Sequence, residues 1–265
     1  MTKLSILNLV PKYKDETKKE AFERAVKLAQ FADSRSFERY WVAEHHNSPG
    51  ILSSATEVVL THILGQTERI KVGAGGVMLP NHTPFQVAER YGTMEALFPD
   101  RVDLGIGRAP GTDMETSRIL YRDTYKQEKF LDAIRLMLKY FEGDASGLKS
   151  APYPGMGAGV PITILGSSMN SAYVAAELGL PYSFAGHFAP HTVKAAFDIY
   201  RDNFKKSKYL DAPYTMLGVS ANIGENKKDA DELEFHAMQV FLRILDVDNR
   251  DEFEKIDPND APELT

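Results

Sequence analysis

Short apolar runs alternate with longer amphipathic ones along almost the whole of this 265-residue chain, and few folds accept that rhythm. The apolar runs lie at 4–10, 39–43, 70–79, 101–106, 161–165, 181–185 and 214–222, and they read as strands. Helical patterns occupy 17–33, 54–66, 84–97, 125–142, 171–178, 190–206 and 227–245. In the first of these, Ala21, Phe22, Ala25, Leu28, Ala29 and Ala32 recur at three- and four-residue spacing, which makes one apolar face. Pro84 and Pro190 each suit the first turn of a helix, where a missing N–H leaves no bond unmade. Repeated strand–helix units predict parallel strands covered by helices. Seven such units in one chain fit a (β/α)8 TIM barrel in the α/β class better than an open doubly wound sheet.

The chain reads as one barrel domain over 1–265, with an excursion near 143–160. There Gly143, Gly147, Pro152, Pro154, Gly155, Gly157 and Gly159 are too dense to sustain a helix, so a long loop is expected. No eighth strand follows the last helical pattern, because the tail over 246–265 is acidic and carries Pro258 and Pro262. A barrel lacking its last strand and helix leaves two sheet edges open, and a truncated chain is the expected explanation.

A net charge of −6, with lysine and arginine scattered among acids, lacks the basic stripe of a nucleic-acid binder and the polybasic patch of a membrane-surface protein. The absence of cysteine excludes disulfides, thiolate metal sites and cysteine nucleophiles. The opening apolar run, 4–10, is too short for a signal peptide or a membrane span. A cytoplasmic location is the default expectation.

Chemistry is expected at the carboxyl ends of the strands. Glu44-His45-His46 closes the apolar run 39–43, where a buried strand stops and a loop begins. Adjacent histidines on an extended segment point to opposite sides, so one should face a pocket and exchange a proton near neutral pH, with Glu44 orienting it or binding a ligand edge. In the stretch 72–82, Gly73, Gly75 and Gly76 interrupt an apolar strand, marking a bulge, a ligand lying flat on bare backbone, or tight packing against a helix. After the fourth run, Gly105-Ile-Gly-Arg-Ala-Pro-Gly111 offers glycine amides and the Arg108 guanidinium to an anion. It is neither a P-loop nor a dinucleotide fingerprint. After the fifth, Ser167, Ser168 and Ser171 gather hydroxyls at a helix start, either as a phosphate cup or as an ordinary cap. His187 and His191 follow the sixth run and read as structural or exposed. His45, His46, His82 and Glu44 lack diagnostic metal-ligand spacing, so no metal is expected.

Five segments, in order, resemble the bacterial luciferase-like flavin-dependent monooxygenases, in their non-luminescent branch. They are Trp41-Val-Ala-Glu-His-His46, Val72-Gly-Ala-Gly-Gly-Val-Met-Leu-Pro-Asn-His82, Arg101-Val-Asp-Leu-Gly-Ile-Gly-Arg-Ala-Pro-Gly111, Ile164-Leu-Gly-Ser-Ser-Met-Asn-Ser171 and Leu178-Gly-Leu-Pro-Tyr-Ser-Phe184. The resemblance implies a TIM barrel, usually a homodimer, with FMN at its carboxyl face. It implies Glu44 as flavin-site carboxylate and His45 as catalytic histidine. Gly75-Gly76 would form a non-prolyl cis peptide against the flavin ring, and Arg108, Ser168 and Ser171 would be phosphate ligands, with Ser167 beside them. The implied chemistry is reduced FMN reacting with O2 to a C4a-(hydro)peroxyflavin that oxygenates a small organic substrate. Reduced flavin would come from a separate NAD(P)H-flavin reductase. Gly107 and Ser167 depart from the light-emitting members, where a cysteine and a glutamate stand, so light emission is not expected. Two alternatives share the fold: a non-catalytic flavin-binding protein and a deazaflavin (F420)-dependent hydride-transfer enzyme.

Overall fold

A computed structural model describes residues 2–13, 15–120, 127–232 and 234. Its seven strands are β1 (Ser5–Asn8), β2 (Arg39–Val42), β3 (Lys71–Met78), β4 (Val102–Gly107), β5 (Ile162–Gly166), β6 (Tyr182–Ala185) and β7 (Thr215–Gly218). All pair in parallel and in chain order, as strand–helix repetition requires. The helices are α1 (Lys18–Ser34), α2 (Thr56–Leu64), α3 (Pro84–Leu97), α4 (Met114–Leu120), α5 (Gln127–Glu142), α6 (Met169–Leu178) and α7 (Val193–Asn203). The result is a nearly closed parallel barrel. Among the described residues, no strand covers the outer edge of β1 or of β7, and Leu7 and Leu217 stand exposed there.

Local chemistry explains most boundaries. Thr17 starts α1 with a capping box: its hydroxyl accepts from the Glu20 amide at 3.2 Å, and Glu20 accepts from the Thr17 amide at 2.7 Å. Thr83 caps α3 through the Gln86 amide, with Pro84 at the first helical position as its sequence predicts. Pro190 instead opens a 3-10 turn, Pro190–Thr192, that runs into α7. The segment 143–160 holds no helix or strand. It docks on α3 with backbone against backbone, since a Cβ on Gly92 would stand 2.2 Å from the Gly155 Cα. Helix α4 escapes sequence detection because none of its residues is buried, so it carries no apolar face to read. The expected helix over 227–245 and the tail over 246–265 lie mostly outside the described residues.

The core lies between sheet and helices, where Tyr40, Val72, Leu104, Ile106, Ile164, Tyr182 and Phe184 are buried. Alternate residues point into the barrel. There Asp103 accepts from Arg39 Nε at 2.7 Å and from Trp41 Nε1 at 3.2 Å, tying β2 to β4. Gly73 lets these strands close around that pair, because a Cβ there would stand 2.0 Å from the Asp103 carbonyl oxygen. Strands that share a direction deliver their carboxyl ends, and the loops that follow them, to one face.

Candidate active site

Four adjacent strands, β2 to β5, bring the sequence candidates together at that face. Glu44 to His46 follow β2, Gly75 and Gly76 lie in β3, Arg108 follows β4, and Ser167 and Ser168 follow β5. The peptide Gly75-Gly76 is cis, and the β3–β4 register shifts between Gly75 and Val77, giving the bulge that the glycines foretell. The glycines do not pack against a helix. A Cβ on Gly75 would stand 2.6 Å from Trp41 Cε3, and one on Gly76 would stand 2.4 Å from Leu165 Cδ1 and 2.7 Å from the Gly105 carbonyl oxygen. Their neighbours are barrel-interior side chains and the β4 backbone, leaving bare main chain at the strand end.

Glu44 holds this segment from both sides. Its amide donates to the Gly76 carbonyl at 3.1 Å, and its Oε2 accepts from the Met78 amide at 2.8 Å. Oε1 accepts from Asn81 Nδ2 at 2.9 Å and from His46 Nε2 at 2.7 Å, while His82 Nε2 donates to both oxygens at 2.9–3.0 Å. The carboxylate side chain is 0% exposed. Burial by itself would raise its pKa, but the hydrogen bonds from His46, His82 and Asn81 win and bring it to about 2. Glu44 is therefore an anion at neutral pH whose lone pairs face protein donors.

Of the two adjacent histidines, Glu44 holds His46, together with His82. The reason is the pleat: successive side chains diverge, so the residue two positions from Glu44 shares its side and His45 does not. His45 is half-buried, and burial, with the His46 ring beside it, pushes its pKa below the ordinary histidine value. It is a neutral proton acceptor at pH 7. Asn81 was not singled out in sequence, and His82 was weighed with Glu44 only as a metal-ligand candidate, not as its hydrogen-bond donor. Their signal was their position just past β3, next to the strand that ends in Glu44.

A second loop completes the rim. The His46 amide donates to the Gly111 carbonyl at 2.9 Å, and Asn81 Nδ2 also reaches the Pro110 carbonyl at 2.9 Å. Hydrogen bonds from Asn47, from the Thr116 amide and hydroxyl, and from the Thr112 hydroxyl hold the Asp113 carboxyl well below the usual carboxylate range. Asp113 thereby starts α4 and ties it to the loop after β2.

Arg108 is exposed and, among the described residues, has no partner. One strand further, Ser168 is the N-cap residue of α6, yet its hydroxyl accepts no amide of the first turn. The ordinary capping role is thus unused, and Ser167 and Ser168 are both exposed at the start of α6. Ser171 behaves differently from its partners. Its hydroxyl donates to the Ser168 carbonyl at 2.6 Å and meets the Tyr182 hydroxyl at 3.0 Å, in space that Gly166 leaves open. It shapes the turn from within. Arg108 and the start of α6 thus follow neighbouring strands, β4 and β5, and are the groups from which an anion site is built.

Among the described residues, no three histidine or acidic side chains are arranged to hold a metal ion, and no helix is long and apolar enough to cross a membrane.

Comparison with known proteins bears on the family and the fold. The model of the luciferase-like monooxygenase family matches residues 3–256. A luciferase-like monooxygenase of Escherichia coli (strain K12) is 40% identical over 241 residues, covering 91% of this chain and 72% of that protein. The crystal structure of apo-MsnO8 superposes with a TM-score of 0.86 at 31% identity, covering 100% of this chain and 76% of its own. Two more distant structures share the fold alone. One is the oxygenating constituent of 3,6-diketocamphane monooxygenase from Pseudomonas putida, with FMN (17% identity, TM-score 0.71, 98% of this chain and 80% of that one). The other is an F420-dependent secondary alcohol dehydrogenase (16%, 0.68, 88% and 73%).

Proposed function

The chain belongs to the luciferase-like monooxygenase family, and on that premise we propose that it uses reduced FMN and O2 to oxygenate a small organic molecule. The observation that carries the choice of FMN is the socket between β4 and β5. An unpartnered arginine beside a helix start whose serine cap is unused suits a terminal phosphate of charge near −2. The residues fit the cofactor in kind as well as charge: Arg108, Ser167 and Ser168 would hold its phosphate, and the backbone at Gly75-Gly76 would receive its flat ring.

When bound, reduced flavin would supply electrons to O2, and the protein's tasks are the remaining ones. Glu44 holds the strand end that receives the ring. His45, neutral at pH 7, accepts a proton at a ring nitrogen and returns it later. Loops after β2 and β4, joined through His46, Gly111 and Asn81, restrict water at the rim. Reduced flavin is delivered by a separate NAD(P)H-dependent reductase.

Stopped-flow mixing of protein-bound reduced FMN with oxygenated buffer tests this reading. His45→Ala should keep FMN affinity within about twofold while slowing the oxygen-dependent steps on the order of 100-fold, the usual share of a positioned general base. Arg108→Ala should weaken FMN binding about tenfold and leave the steps of the saturated protein unchanged. Unaltered oxygen-dependent steps in His45→Ala would remove that histidine from the mechanism.

A further inference from the structure

A chain of side chains enters the site from outside the barrel. On α2, Glu57 Oε1 accepts from Arg90 Nη1 of α3 at 3.1 Å. The same nitrogen approaches His82 Nδ1 at 3.4 Å. His82 Nε2 then reaches Glu44, and Glu44 reaches His46. Donor and acceptor rules fix the protons along it. Glu44 is ionised and can only accept, so Nε2 of His82 carries a hydrogen. A guanidinium can only donate, so Nδ1 of His82 must be bare. Both nitrogens of the ring are thus engaged, Nε2 on Glu44 and Nδ1 against Arg90. His46 differs: Nε2 donates to Glu44, whereas Nδ1 has no partner among the described residues.

We propose that Arg90 and His82 are positioning residues that act through Glu44: they fix the carboxylate without exchanging protons with it. His46 Nδ1 is thereby kept as an open acceptor beside the flavin platform. The idea rests on the flavin reading only for its consequence, because the arrangement itself is a property of the protein without cofactor. Glu44 is the junction. Its carboxylate accepts from His82, Asn81, His46 and the Met78 amide, while its own backbone amide donates to the Gly76 carbonyl. A proton arriving on His82 Nδ1 would face the Arg90 guanidinium, so the ring is suited to hold Glu44 and unsuited to relay protons to it.

Glutamine mimics such a ring without titrating. Its amide nitrogen can donate to Glu44, and its oxygen can accept from Arg90. The test combines His82→Leu, His82→Gln and nitrogen-15 histidine NMR on the flavin-free protein. In the unaltered protein, His82 should show hydrogen on Nε2 and a bare Nδ1 at pH 7, and His46 should show hydrogen on Nε2. His82→Leu should slow oxygen-dependent oxidation of bound reduced FMN by on the order of tenfold or more through displacement of the platform, and His82→Gln should restore most of that loss. His82→Gln as impaired as His82→Leu, or hydrogen on Nδ1 of His82, overturns the proposal. Should His82→Leu fail to fold, the glutamine variant and the NMR still decide. A protein with the expected tautomers that binds no flavin would sink the proposed function and leave the positioning arrangement intact.

Discussion

At the scale of single residues, Glu44 shows how a buried carboxylate can organise a strand end. Donors from Met78, Asn81, His46 and His82 converge on its two oxygens. Glu44→Gln turns one oxygen into a donor facing other donors, stranding buried N–H groups at about 1–3 kcal/mol each. Its melting temperature should fall accordingly, and reduced-FMN binding should weaken with it. The pH dependence has a definite sign. Glu44 sits at about 2, below the ordinary 4.5, so its stabilisation is complete above about 4.5 and disappears as pH falls toward 2. Urea unfolding at pH 7 and pH 4 should find the stability gap between parent and Glu44→Gln narrower at pH 4. A gap that widens on acidification would contradict the ionised, hydrogen-bonded state.

At the scale of elements, the strand ends were legible in sequence because strands write short continuous apolar runs, and helices write three- and four-residue periodicity. All seven strands stand where those runs predict, with β7 shorter than its run because the end of that run is exposed. The pairing of Glu44 with His82 was not legible. It joins positions 38 apart and depends on the turn Leu79–Asn81 bringing His82 back over β2. Two substitutions separate packing from binding here. Gly73→Ala would press a methyl against the Asp103 backbone, which cannot swing aside as a side chain could. It should destabilise by about 3 kcal/mol in chemical unfolding, near the upper range for overpacking. Ser168→Asp should do the reverse to its helix. A carboxylate at the N-cap can take the amides that Ser168 leaves open, raising stability by about 1 kcal/mol, while its charge expels a phosphate. If Ser168→Asp bound FMN as tightly as the parent, the α6 socket would not be the phosphate site.

At the scale of the molecule, a parallel barrel places loops from β2 to β5 on one face, so residues scattered from 44 to 168 become neighbours. The same architecture leaves the outer edges of β1 and β7 without a described partner, on the side of the barrel away from β4 and β5. The proposed socket and the glycine platform therefore lie on the strands whose pairing is complete. The most direct measurement is an anaerobic titration with reduced FMN and with reduced riboflavin, run on the parent and on Arg108→Ala. A phosphate socket with two or more charge-assisted hydrogen bonds should favour FMN over riboflavin by about 100-fold, and Arg108→Ala should erase about tenfold of that preference. Equal binding of the two flavins, or binding of neither, would contradict the assignment of this face to FMN.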